Sequence, residues 1–316
     1  MRKRKLRWSL TTYMVLLIAT CLSTWSARNW YRNDVFRSSI TEFAKEVDSK
    51  HWLKYDVVIV SGSVTCVLEL VVGGIRRFLS RSGTIHIVVP DEILLQCLDI
   101  EAVTCHRETQ ILARDSVNLT SKNSMGWQGT STRTKWYYQQ LLKLLAYERI
   151  ELSSDFFLWD ADNILIKPYN PFVNGVTRFP IRGGTPSNLY SIATRALIGV
   201  HGQNNVVVHQ MLLSKMSLRE MLEHICGHRH HESCAMHILD RIPQDAPPNG
   251  ALSEYHLYFA WYSSNHHVLV DSDIKYIRTD PVNKSNGTSE DCIRTRELIR
   301  TASTDKHTYM VVYEVS

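Results

Sequence analysis

Asp160 and Asp162, one residue apart in WDADNILIKP, are the first residues whose type and spacing suggest chemistry. Two carboxylates leaving an apolar run together can share a hard divalent cation that keeps positions free for phosphate oxygens. A cation held in that way serves a diphosphate leaving group. A bare D-x-D is common in solvated turns. Here the four apolar residues Phe156 to Trp159 precede the pair, Ala161 separates it, and the apolar Ile164–Ile166 with Lys167-Pro168 follows.

Other residues carry a functional reading beside an ordinary one. Lys135 and Lys143 lie on the stretch before the acidic pair, within reach of a phosphate or simply on the wet face of a helix. Glu254 sits among aromatics in LSEYHLYFAWY. Burial there raises a carboxyl toward the range of a general base, and the same residue also fits the first turn of a helix capped by Ser253. His209, on a stretch read as helical, is a secondary candidate. Arg182-Gly183-Gly184-Thr185 removes side-chain bulk near a ligand or merely makes a turn. The run HICGHRHHESCAMH (224–237) invites a zinc reading, but Cys226 and Cys234 are eight apart, where structural zinc ligands pair at two to four. A disulfide-closed loop is the favoured reading.

The elements that must position these groups read as α/β. DVVIVSG from Asp56 and TIHIVVPD at 84–91 are continuous apolar runs of the kind that strands buried on both faces show. A helix is expected between them from Val64 to Ser80, then a helix at Glu92–Leu98 and a short strand near Ala102–Cys105. That order predicts a sheet with parallel strands. Residues 113–134 read as a loop, 135–150 as an amphipathic helix, and Asp155 onward as a strand ending in the acidic pair. Further helices are expected at Asn205–Cys226 and Ser233–Ile242. Ligand sites in open α/β sheets lie beyond the carboxyl ends of the strands, where Asp160 and Asp162 fall.

With these residues the sequence resembles the GT-A glycosyltransferases, and in its broader order it is similar to a poorly characterised glycosyltransferase-like branch that carries the D-x-D motif. The likeness covers roughly residues 55–270 and is specific around 134–172, the segment TKWYYQQLLKLLAYERIELSSDFFLWDADNILIKPYNPF. It extends to His209-Gln210-Met211 and Ser253–Tyr258. The resemblance implies a Rossmann-type mixed sheet flanked by helices. It also implies manganese and the diphosphate of a nucleotide-sugar at Asp160 and Asp162, with Ser61, Gly62 and Ser63 facing the nucleotide. His267, of the pair His266-His267, would be a late metal ligand of the GT-A type. The activity implied is transfer of a sugar from the nucleotide-sugar to a hydroxyl of a glycan or glycoprotein acceptor. A lumenal binding protein without turnover is the second reading; its mark would be loss of a metal carboxylate, and both are present.

Composition sets the surroundings. The 316 residues are 44% hydrophobic and 21% charged, enough for a core of ordinary size. Lysine and arginine number 36 against 31 acidic residues, but Arg2, Lys3, Arg4, Lys5 and Arg7 all precede the first apolar run. Without them the charges balance, which excludes a body built to bind nucleic-acid phosphates. Trp8 to Ala27 holds 20 residues without charge, about 30 Å as a helix, one bilayer core. With the basic side first, the positive-inside rule predicts a single-pass type II signal-anchor in the Golgi or endoplasmic reticulum. A cleaved signal peptide is the rival, disfavoured by Trp25 at the −3 position of a cut after Ala27. The expected divisions are 1–7 cytosolic tail, 8–27 transmembrane helix, 28–54 stem and 55–316 lumenal catalytic domain. Six of seven cysteines lie on the lumenal side, an even number suited to disulfides, as do the sequons at Asn118, Asn283 and Asn286.

Overall fold

The computed structural model describes residues 54–117, 131–181, 188–201, 206, 208–243, 252–272, 274–278, 289–305 and 308–312. The anchor segment, the stem, the three sequons and the Gly183-Gly184 turn lie outside the described residues. Among those described, no helix is long and apolar enough to cross a membrane. One compact unit spans Lys54–Ser316.

In chain order the elements are β1 Tyr55–Val60, α1 Cys66–Phe78, β2 Ser82–Val89, α2 Leu94–Leu98, β3 Thr104–Arg107, α3 Glu108–Ile111, α4 Ser131–Leu145, β4 Asp155–Asp160, β5 Asn163–Leu165, β6 Phe172–Val173 and β7 Val176–Pro180. They continue as α5 Asn188–Ile198, β8 Gln210–Ser214, α6 Lys215–Cys226, α7 His231–Arg241, α8 Glu254–Asn265, β9 Leu269–Asp271, β10 Lys275–Arg278, α9 Ser289–Ala302 and β11 Thr308–Val312. The main sheet runs β3-β2-β1-β4-β8. Its first four strands are parallel and β8 is antiparallel to β4. Two three-stranded sheets, β10-β11-β5 and β6-β7-β9, lie outside it.

Both faces of the main sheet are covered, which explains the unbroken apolar runs of β1, β2 and β4. Alternate side chains go to opposite faces. Val58, Val60, Val88, Phe156 and Leu158 pack into a cluster with α4, α6, α7 and α8, while Val57, Ile59, Ile87, Phe157 and Trp159 pack with α1 and β11. Helix α1 approaches β5 so closely that a Cβ on Gly74 would stand 2.5 Å from the Leu165 carbonyl oxygen. This contact pins the strand that leaves the acidic turn.

The expected helix at Asn205–Cys226 is corrected: the segment is strand β8 followed by helix α6. Met211, Leu212 and Leu213 are buried in β8 beside β4, and the Ser214 hydroxyl caps α6 by accepting from the Ser217 amide at 3.5 Å. A short apolar run has no period of its own, so its partner strand decided its form. Three disulfides join Cys66–Cys292, Cys97–Cys105 and Cys226–Cys234, with Cα–Cα distances of 6.0, 6.1 and 5.2 Å. The last is the expected pair.

Candidate active site

β4 ends at Asp160, in register with Val60 at the end of β1. The turn that follows is held across its base. Trp159 Nε1 donates to the Asn163 carbonyl at 2.7 Å, and the wholly buried Asn163 donates from Nδ2 to Gln210 Oε1 at 3.1 Å. Asp160 and Asp162 therefore leave the sheet on a braced turn rather than a free loop.

The β4–β8 pairing brings the third group. The Asp160 amide donates to the His209 carbonyl at 2.8 Å, and His209 Nδ1 lies 3.0 Å from Asp160 Oδ2. Ligand atoms of Asp160, Asp162 and His209 all fall within 4.8 Å of one another. Two carboxylates and an imidazole form a donor set suited to Mn2+.

Helices α4 and α8 complete the site. Lys143 Nζ lies 2.5 Å from Asp160 Oδ1 and 2.6 Å from Glu254 Oε1, with the lysine and glutamate side chains only 3% and 2% exposed. The Tyr255 hydroxyl donates to Asp160 Oδ1 at 2.8 Å, and Lys143 Nζ stands 4.8 Å from the centre of its ring. Farther up α4, the Glu254 amide donates to Gln140 Oε1 at 3.4 Å and Trp136 Nε1 to the Leu252 carbonyl at 3.2 Å. The face of α4 thus fastens the start of α8 over the acidic turn.

Charge in the site is unequal. Burial works to raise the Asp160 carboxyl, but Lys143 and His209 outweigh it and hold it near 2. Burial and the adjacent Asp160 push Asp162 up to about 6. Burial likewise raises Glu254 despite Lys143. Burial disfavours the Lys143 charge, yet Asp160 and Glu254 more than offset this and raise its pKa. Three carboxylates against one ammonium leave two negative charges when all are ionised. A divalent cation matches that residue of charge, and Asp162 is the carboxylate that most lacks a counter-charge. The residues present fit a metal.

Of the residues singled out in the sequence, the structure gathers Asp160, Asp162, Lys143, His209 and Glu254. Ser61, Gly62 and Ser63 follow β1 at the same edge of the sheet, with the Ser61 hydroxyl donating to the Ser63 carbonyl at 2.6 Å. Lys135 is exposed, two turns of α4 from Lys143, and does not join the cluster. His267 lies past the far end of α8, whose 12 residues span about 18 Å from Glu254. The histidine beside the carboxylates is His209 instead, because β8 pairs with β4. At the start of α8 it is the Ser253 hydroxyl that accepts from the His256 amide, while the Glu254 side chain turns to Lys143. Tyr255 was not singled out; its only signal in the sequence is its place beside Glu254.

No family model matches the chain, and no curated protein sequence is detectably similar. Among solved structures, mouse xyloside xylosyltransferase 1 in its apo form aligns with 82% of this chain and 97% of its own, at 12% identity and a TM-score of 0.40. The 4-diphosphocytidyl-2C-methyl-D-erythritol synthase of Anaerococcus prevotii aligns with 78% and 96%, at 10% identity and 0.35. The apo bifunctional glycosyltransferase WbbM aligns with 83% of this chain and 46% of its own, at 10% identity and 0.35. The mixed sheet flanked by helices, with the acidic turn at the carboxyl end of the interior strand β4, fits the GT-A-like architecture expected from the sequence.

Proposed function

We propose that the protein is a metal-dependent glycosyltransferase that moves a sugar from a nucleotide-sugar donor to a hydroxyl of a glycan or glycoprotein. The observation that carries this reading is the meeting of Asp160, Asp162 and His209 within 4.8 Å at the carboxyl end of β4. These three would hold Mn2+ or Mg2+, which supplies positive charge to a departing nucleoside diphosphate. Lys143 keeps Asp160 ionised and aligned and balances Glu254 between the two helices. Tyr255 fixes the second contact on Asp160 Oδ1. Glu254 is the candidate base for the acceptor hydroxyl, and Ser61–Ser63 at the neighbouring strand end are the candidate nucleotide contacts. The basic tail, the uncharged Trp8–Ala27 segment and three disulfides support a type II protein of the Golgi or endoplasmic reticulum with this domain in the lumen.

A screen of nucleotide-sugars for donor hydrolysis, with Mn2+ and with excess chelator, tests the reading. Hydrolysis of at least one donor that chelator abolishes is the expected outcome. Turnover undiminished in chelator would overturn the metal's part, and no donor binding or turnover across the panel would overturn the activity.

A further inference from the structure

A cavity of about 510 Å³ opens beside α6 and the Cys226–Cys234 disulfide. It is far from the acidic turn. Lys215 on its wall follows Ser214, which pairs with Asp155 at the amino end of β4, and the Lys215 amide donates to the Ser154 carbonyl at 2.8 Å. Five residue steps along β4 separate that end from Asp160, about 16 Å.

Three basic side chains and two acidic ones line the wall. Lys215 and Arg219, one turn apart on α6, face the cavity, and neither makes an ion pair among the described residues. Arg229 enters from the loop closed by the disulfide, with Nη1 donating to the Cys226 carbonyl at 2.7 Å. Two carboxylates also line the cavity, but Glu148 is already committed: its Oε2 lies 2.6 Å from His231 Nδ1 and its Oε1 accepts from Tyr147 at 3.1 Å. The three cations Lys215, Arg219 and Arg229 therefore outnumber two carboxylates, of which Glu223 has no side-chain hydrogen bond or ion pair among the described residues.

We infer that this cavity is a second ligand site, separate from the acidic turn, for a sugar bearing an oxyanion, either a phosphate or a carboxylate. Its volume lies in the range of small-molecule sites, and its polar wall suits a hydrated, charged ligand better than an apolar one. Arginines at two corners offer paired N–H groups to an oxyanion, and Lys215 adds a point charge. The disulfide belongs to the site, since it closes the loop that carries Arg229. Nothing in this inference depends on the activity proposed for the acidic turn.

Calorimetric titration of the intact, disulfide-bonded protein in excess chelator tests it, with glucose 6-phosphate and glucuronate as separate probes. At least one probe should bind with a Kd of about a millimolar or tighter, and Lys215→Ala/Arg219→Ala should weaken it at least about tenfold. Asp162→Asn should bind as the wild type does. Binding of one probe alone identifies the oxyanion, and binding of both says that the site accepts either. Arg219→Glu, on the exposed face of α6, gives the same reading if the double variant folds poorly. Absence of binding by both probes up to roughly 10 mM, or equal binding by wild type and Arg219→Glu, would overturn the inference.

Discussion

Lys143 and Glu254, 111 residues apart in sequence, form an ion pair of 2.6 Å with both side chains almost wholly withdrawn from water. Such a pair contributes little when both partners are replaced by apolar groups, but removing one strands the other. Lys143→Met leaves Asp160 and Glu254 facing each other without their cation. It should cost about 3–5 kcal/mol in urea unfolding, and Lys143→Met/Glu254→Gln should recover part of that. A loss under about 1 kcal/mol for Lys143→Met would show that the pair is not structural.

Glu254→Gln separates the two roles open to that carboxylate. As the base, its loss should lower kcat at least about a hundredfold while nucleotide and Mn2+ binding persist. As a charge partner alone, its loss should appear in unfolding and leave kcat within about threefold once the protein is folded.

The proposed ligand set makes a distinction between two histidines. His209→Ala should weaken Mn2+ binding at least about tenfold, read from the metal's effect on the melting temperature, because it removes a direct donor. His267→Ala should leave Mn2+ binding as it is. Reversed results would return the metal to the ligand set expected from sequence.

Much of this site was legible before the fold was known, and the limits have physical causes. Asp160 and Asp162 stood out because β4 is buried on both faces, so its apolar run ends abruptly where the strand emerges. Glu254 stood out as a lone carboxylate among aromatics. His209 stood only as a secondary candidate on a stretch read as helical, because its place depends on β8 lying antiparallel to β4, and QMLLS carries no period that separates strand from helix. Lys143 and Lys135 look alike in sequence. Only the position of α8 decides that one is buried against Glu254 and the other is exposed. The Cys226–Cys234 bridge was read from local spacing, whereas Cys66–Cys292 spans 226 residues and is fixed by the docking of α9 on α1.

Those loop lengths give a graded prediction for the disulfides. In the chain-entropy account the Cys226–Cys234 bridge contributes about 2.5 kcal/mol and the Cys66–Cys292 bridge about 5 kcal/mol. Cys66→Ser/Cys292→Ser should therefore lower stability about twice as far as Cys226→Ser/Cys234→Ser in denaturant unfolding. The opposite ranking would contradict the loop-length argument.

Acid should also act on an ion pair far from the acidic turn, at a lower pH than that at which Asp162 takes its proton. The hydrogen bond from His231, helped by that from Tyr147, holds Glu148 below the usual carboxylate range even though burial works the other way. Its contribution is present above the ordinary carboxylate pKa and is lost as pH falls through the lowered one. Glu148→Gln should thus flatten the acid side of the stability curve by less than about 1 kcal/mol, since 35% of its side chain meets solvent. Identical pH profiles for variant and wild type would refute the assignment.

The central claim is that Asp162 completes a metal site for a diphosphate leaving group, and Asp162→Asn tests it most directly because it keeps size and removes only charge. With the best donor and saturating Mn2+, turnover should fall at least about a hundredfold while the melting temperature without metal is maintained or rises, since a half-buried carboxylate short of counter-charge is gone. Wild-type turnover by Asp162→Asn in Mn2+, from a protein folded as the parent is, would show that the acidic pair is only a turn.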